Sequence, residues 1–277
     1  MRRFAAAVVA ALIIIGLAGC ASMQKESKQR QQASMLSYLF PGSAEPPAAS
    51  EAVAVINVPF RIGVAFVPDN ADPQFRLTEA DRLALAGKVR DAFAKYPFIR
   101  DIEAIPSVYL EPGGGFANVD RIAALLRLDA IALVSYDQVQ HADASAASML
   151  YWTGIGMYIV PGDRYDVLTV VETAVFDVKS RRLLMRAAGS SNVKGSATYV
   201  GFASQAREAR LKSFEEAVTQ MIGGLHTEVR TFRERAPSDP KIRLVLPAGY
   251  NPGAERPLPG QQPLPSPVQS PGPAPRK

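Results

Sequence analysis

Between residues 57 and 235 the hydrophobic period switches repeatedly between about two residues and about 3.6, and a chain that alternates in this way folds into α/β layers. Arg61-Ile62-Gly63-Val64-Ala65-Phe66-Val67 is a short apolar run that stops at Pro68, as a strand does. Thr78 with Asp81 resembles a capping box. It opens a helix with Leu85, Val89, Ala92, Phe93 and Tyr96 on one face, ended by Pro97. Residues 99–105 read as a second strand. Asn118 is the expected N-cap of a helix through Leu126 that turns Val119, Ile122 and Leu126 inward. Residues 130–134 are unbroken apolar sequence, as in a strand buried on both faces, and become amphipathic through Tyr136, Asp137 and Gln138. Residues 168–178 and 183–187 alternate around Lys179-Ser180-Arg181, a hairpin pattern. Finally Leu211, Phe214, Val218, Met221, Leu225, Val229 and Phe232 repeat at three- and four-residue steps in a helix over 202–235. Gly223-Gly224 inside it predicts a kink or a close neighbour. The expected class is α/β with a mixed sheet. Its order is β-α-β-α-β with parallel crossovers, then an antiparallel hairpin, packed with helices including a long C-terminal one.

Composition agrees with a packed domain: 48% of the 277 residues are hydrophobic and 21% charged. The net charge of +5 sits at the ends. Arg2 and Arg3 have no acid near them, and residues 236–277 carry five cations against Asp239 and Glu255, so residues 20–235 are neutral. A neutral body has no field to hold a phosphate backbone, and nucleic acid is not an expected partner. A single cysteine excludes an intrachain disulfide and a cysteine-built zinc site, and two histidines leave little for imidazole chemistry.

Residues 1–19 have the form of a signal peptide, with a basic start, an apolar run too short to span a bilayer, and small residues before Cys20. Leu17-Ala18-Gly19-Cys20 is similar to the bacterial lipobox. That resemblance implies cleavage before Cys20 and acylation of its thiol and amine. Three acyl chains at ~0.8 kcal/mol per buried methylene would make a permanent membrane anchor. Ala21 and Ser22 follow without an Asp, which resembles sorting to the outer membrane, facing the periplasm. The expected organisation is a lipidated tether over 20–56, with an apolar docking segment at 35–41, and a single globular α/β domain over 57–235. A disordered tail over 236–277 holds 12 of the 22 prolines.

Four segments carry candidate sites. Glu111-Pro112-Gly113-Gly114-Gly115-Phe116 precedes a helix and could cradle an anion, yet it lacks both the P-loop and the dinucleotide glycine patterns. Asp137, His141 and Asp143 share one side of a strand and are the candidate metal ligands, weak and unselective without a thiolate. Asp166, Glu172 and Asp177 are candidate acid–base carboxylates whose spacing does not bring them together. No Gly-x-Ser-x-Gly elbow is present, and His226 lies on the terminal helix, so a serine triad is not expected. Residues 147–160 carry no charge and contain the only tryptophan. They read either as buried core or as a surface for oligomer or membrane contact, with Tyr151, Trp152 and Tyr158 as the contact residues. No catalytic residue and no cofactor are expected.

Several strings together resemble the rhombotarget lipoproteins over roughly 36–235. They are Tyr38-Leu39-Phe40-Pro41, residues 61–68, Ile105-Pro106-Ser107-Val108-Tyr109-Leu110 and Pro112-Gly113-Gly114-Gly115-Phe116. Residues 132–140, Tyr151-Trp152-Thr153 and Val193-Lys194-Gly195 complete the set. The resemblance implies a bacterial envelope lipoprotein associated with rhombosortase processing, and brings no reaction, cofactor or catalytic residue with it. The tail lacks the Gly-Gly and the hydrophobic helix of a rhombosortase substrate. In element order the chain is also similar to curli-secretion-type periplasmic lipoproteins. That likeness implies an oligomeric secretion or assembly accessory that inserts 147–160 into the membrane. The expected function is therefore a non-enzymatic envelope lipoprotein that binds an unidentified envelope protein. The alternatives are that homo-oligomeric accessory and a metal-dependent enzyme at Asp137, His141 and Asp143.

Overall fold

The structure, a computed structural model, describes residues 27–42, 52–69 and 76–250. Their centre is a six-stranded mixed sheet built from β1 (Ser27–Ala33), β3 (Phe60–Phe66), β4 (Ile99–Ile105), β5 (Ala130–Ala144), β6 (Asp163–Asp177) and β7 (Leu183–Ala197). Its main path runs β4-β3-β5-β6-β7. β3 is parallel to β4 and β5, whereas β5, β6 and β7 are antiparallel. The helices are α1 (Met35–Leu39), α2 (Glu79–Phe93), α3 (Gly115–Leu126), α4 (Gly156–Ile159) and α5 (Phe202–Arg235). A two-stranded parallel ribbon of β2 (Ala54–Asn57) and β8 (Ile242–Val245) completes the fold. The α/β class, the mixed sheet and the long last helix are as the hydrophobic periods predict.

Two strands share one edge of β5. β3 pairs with residues 130–134 and β1 with residues 136–142. Covered on both edges, Ile131, Leu133 and Val134 are at most 1% exposed. The mostly polar sequence Ser-Lys-Gln-Arg-Gln-Gln-Ala of β1 extends the sheet because the distal half of β5 offers unpaired backbone groups there. Residues 27–33, expected as tether, are thus part of the sheet, and residues 242–245, expected as disordered tail, pair with β2. The expected bounds at 57 and 235 therefore cut through the folded body.

Local signals set the helices. Thr78 caps α2 in a complete capping box with Asp81. α3 begins earlier than expected, at Gly115; Asn118 lies inside it, 3% exposed, because its side chain is taken by tertiary partners. α5 is one unbroken helix of 34 residues, about 50 Å long, laid along β7 and β6. Phe214, Val218, Met221, Leu225 and Val229 are its buried stripe, each worth about 1.5–3 kcal/mol of burial. Close approach is made possible from the strand side. A Cβ on Gly189 of β7 would lie 2.1 Å from the Ala217 carbonyl oxygen. Gly224 approaches Ala187, while Gly223 faces open space.

Under the first half of α5 the sheet carries an in-register polar row of Gln31, Gln138, Thr169 and Ser191. Gln138 Nε2 donates to Thr169 Oγ1 (2.7 Å), Ser213 Oγ of α5 donates to the same oxygen (2.7 Å), and Ser191 donates to Glu216 (2.6 Å). These bonds pin the rotation of α5 where apolar packing alone would not. They also explain why β7 runs on to Ala197 through Gly189-Ser190-Ser191-Asn192, a stretch with low strand propensity.

Candidate functional site

The turn between β5 and β6 is built as an apolar cap. Residues 146–153 form a 3-10 helix and α4 follows after Gly154, whose φ is 74°. The base of the cap is closed by backbone and phenol. Ser145 N donates to the Gly162 carbonyl (2.6 Å), and Gly162 N donates to the Tyr151 hydroxyl (2.9 Å). A side chain at Gly162 would meet Ser148 and Tyr151 at 2.7 Å, so the turn needs glycine there. Tyr151 packs edge-on against Tyr199, and Val200 N reaches the Met157 carbonyl (3.3 Å), which fastens the cap to the start of α5. Burial raises the Asp163 carboxyl above its ordinary range, partly offset by its hydrogen bond from Tyr151.

Outward the cap is apolar. Met149, Leu150, Ile155, Tyr158 and Ile159 are 51–70% exposed, joined by Tyr199 and Val200. No charged residue lies between 146 and 160. The buried-core reading does not fit Met149, Leu150, Ile155, Tyr158 and Ile159, which are exposed to solvent rather than packed into the sheet. Of the expected contact residues, Tyr158 is on this face, Tyr151 is half-buried in the base, and Trp152 belongs to the same 3-10 turn.

A second polar site lies at the carboxyl end of β3. Asp69, with 1% side-chain exposure, receives Arg76 Nε (2.9 Å), the Arg82 guanidinium and the Tyr136 hydroxyl (2.6 Å). Burial and the Asp69 charge push the Tyr136 phenol far up, so it stays a donor. With its oxygens held by two guanidinium groups and a phenol, Asp69 is a fixed counter-ion rather than a mobile base. Next to it is a cleft of about 210 Å³ lined by Gln32, Ser34, Ser37, Tyr38, Pro68, Asp69, Pro112 and Gly113. Nothing in the sequence spacing joins Asp69 to Tyr136. The only local signal is Arg82, which falls on the apolar face of α2 with Leu85, Ala86, Val89 and Phe93.

The glycine loop is already filled. Gly113 (φ 67°) and Gly115 (φ 62°) approach Pro41 Cβ and the Leu39 carbonyl oxygen, each at 3.2 Å from where a Cβ would sit. Its glycines serve the seat of α1, not an anion cradle. Tyr38 and Leu39 are buried there, and the Tyr38 hydroxyl donates to Asn118 Oδ1 (2.7 Å). Asn118 Oδ1 also accepts Glu111 N (3.1 Å), and its Nδ2 donates to the Tyr109 carbonyl (3.1 Å). Burial, then the Glu111 charge, push the Tyr38 phenol up to about 12.

The candidate metal ligands do not converge. Asp137 is held by a bidentate contact from Arg30 of β1, with Arg30 Nε at 2.9 Å. At about 3.3 Å per residue, Asp137 and His141 are roughly 13 Å apart along β5, beyond the reach of one ion. Among the described residues no three His, Cys, Asp or Glu side chains group as metal ligands. The expected acid–base carboxylates are also separate: Asp166 pairs with Lys194 (2.8 Å), Glu172 with Arg186 (3.8 Å), and Asp177 caps its own turn through Ser180 (2.7 Å). His226 is stacked on Phe93 and bonded to the Tyr96 hydroxyl (2.7 Å), a packing role. Cys20 and the leader lie outside the described residues.

No family model matches the chain, and no curated protein matches it. Among solved structures it is similar to a PelC variant dodecamer from Paraburkholderia phytofirmans, at 12% identity over 72% of this chain and 99% of that one, with a TM-score of 0.26. A second PelC dodecamer from the same organism has 12% identity over 70% of this chain and 99% of that one, with a TM-score of 0.23. Likenesses at these scores carry no inference about fold, function or assembly.

Proposed function

We propose that the chain is a non-enzymatic lipoprotein of a bacterial envelope, held at the outer membrane through acylated Cys20 and facing the periplasm. Its α/β domain binds an envelope protein through the cap over 146–160. The observation that carries this reading is the cap itself: a charge-free surface with Met149, Leu150, Ile155, Tyr158 and Ile159 exposed together at one end of the sheet. Contiguous apolar surface of this kind marks interaction sites in soluble domains. The Leu17-Ala18-Gly19-Cys20 string and the resemblance to rhombotarget lipoproteins support the envelope part of the reading.

The absence of charge from 146 to 160 also favours a second reading, in which the chain forms an oligomeric secretion or assembly accessory that inserts the same cap into the membrane. The size of the lipidated protein in mild detergent separates the two. The first reading expects a monomer, slightly below the 29.8 kDa of the uncleaved chain, in wild type and in the Ile155→Asp/Tyr158→Asp double variant alike. A defined large oligomer that the double variant dissolves would establish the second reading instead.

A further inference from the structure

At the end of the sheet away from the cap, the β2–β8 ribbon and the last turns of α5 enclose an apolar cavity of about 500 Å³. Phe60, Phe98, Phe232, Leu244 and Leu246 are among its lining residues. A narrower space of about 50 Å³ shares those phenylalanines and reaches Val64 and Ala132 of the sheet. The two spaces also share Met185 and Val229, so they adjoin as one apolar channel between ribbon, helix and sheet. Its polar side chains are those of Arg230, Arg233 and Glu234, all exposed at the mouth, and of half-buried Tyr250. Arg233 lies over the Phe98 ring at 6.0 Å, and its charge acts on the half-buried Tyr250 phenol.

We infer that this channel binds a single-chain anionic amphiphile of the fatty-acid class, with the alkyl chain between ribbon and helix and the carboxylate at Arg230 and Arg233. The volume is that of a small-molecule site. The lining away from the arginines is apolar, which favours an alkyl chain over a polar ligand. Exposed guanidinium groups at the mouth match a carboxylate in fork geometry. This inference is independent of the cap and of the envelope reading.

The test uses residues 20–277 with Cys20→Ser, which keep every element described, and calorimetric titration with dodecanoate. One saturable site is expected. Each buried methylene adds about fourfold in affinity, so dodecanoate should bind about 15-fold more tightly than decanoate. Arg230→Gln/Arg233→Gln should weaken dodecanoate at least tenfold while leaving dodecanol unchanged, and dodecyltrimethylammonium should not compete. Leu246→Trp, at a site already 51% exposed, should block the channel without changing the melting temperature. No saturable binding, no dependence on chain length, or equal binding by the arginine double variant would overturn the inference. Binding seen only after removal of residues 251–277 would also overturn it, by assigning the channel to the chain's own tail.

Discussion

Replacing Gly189 by alanine tests how closely α5 is seated on the sheet. The added Cβ would lie 2.1 Å from the Ala217 carbonyl oxygen and 2.5 Å from Met221 N, both backbone atoms of a helix that cannot rotate away locally. Ordinary contact begins at 3.4 Å, so this part of α5 must lift by more than 1 Å. A gap of that size forfeits a quarter to a half of the dispersion contact around it, here at the fully buried Phe214, Val218 and Met221. Overpacking of this kind costs about 3 kcal/mol, offset by up to about 1 kcal/mol from the stiffer unfolded chain. A net loss of about 2 kcal/mol is expected, or about 4–8 °C in Tm. Urea unfolding of the Cys20→Ser chain at 25 °C reads it directly. Gly223→Ala is the control: nothing stands within 4 Å of that position, and a helix-interior alanine should gain up to about 1 kcal/mol. If Gly189→Ala and Gly223→Ala unfold at the same urea concentration, the close seating of α5 on β7 is wrong.

Three further perturbations follow from the same contacts. Asp69→Ala strands the buried Arg82 guanidinium and should cost about 3–5 kcal/mol in urea unfolding, and adding Arg82→Met should restore much of it. Thr78→Ala removes the α2 cap and its box with Asp81, a loss of about 1 kcal/mol by the same assay. Tyr38→Phe gives up the bond to Asn118, about 1 kcal/mol at neutral pH, and changes the alkaline limb of the stability profile. The folded phenol titrates near 12, above its unfolded value of about 10, so its stabilisation is complete below pH 10 and lost as pH rises through 12. The wild-type minus Tyr38→Phe difference should therefore shrink from pH 10 to 12, and a difference that grows would refute the assignment.

What could be read from the chain was whatever had a local cause. β3, α2 and β4 are bounded by prolines and a capping box, and α5 carries its stripe at helical spacing over its whole length. β1 was illegible because seven mostly polar residues become a strand only beside the uncovered half of β5. β8 was hidden in a proline-rich stretch, and β7 past Ala187 was hidden by residues chosen for the polar row under α5. The start of α3 was misplaced because Asn118 looks like a cap and acts instead as a clamp on Tyr38, Tyr109 and Glu111. At the sites, the lack of charge exposed the cap over 146–160, although not its helical turns. The Asp69 cluster gave no signal beyond Arg82 on the apolar face of α2, since Tyr136 is 67 residues away and Arg82 is 13.

The central claim is that the cap meets a distinct envelope protein. A photo-crosslinking residue at position 158 of the lipidated chain, activated in intact cells, tests it most directly. The account predicts one discrete adduct well above 29.8 kDa that disappears when Ile155→Asp is added and is absent when the crosslinker stands at exposed Val108. Adducts only to lipid, or a ladder of this chain crosslinked to itself, would contradict it.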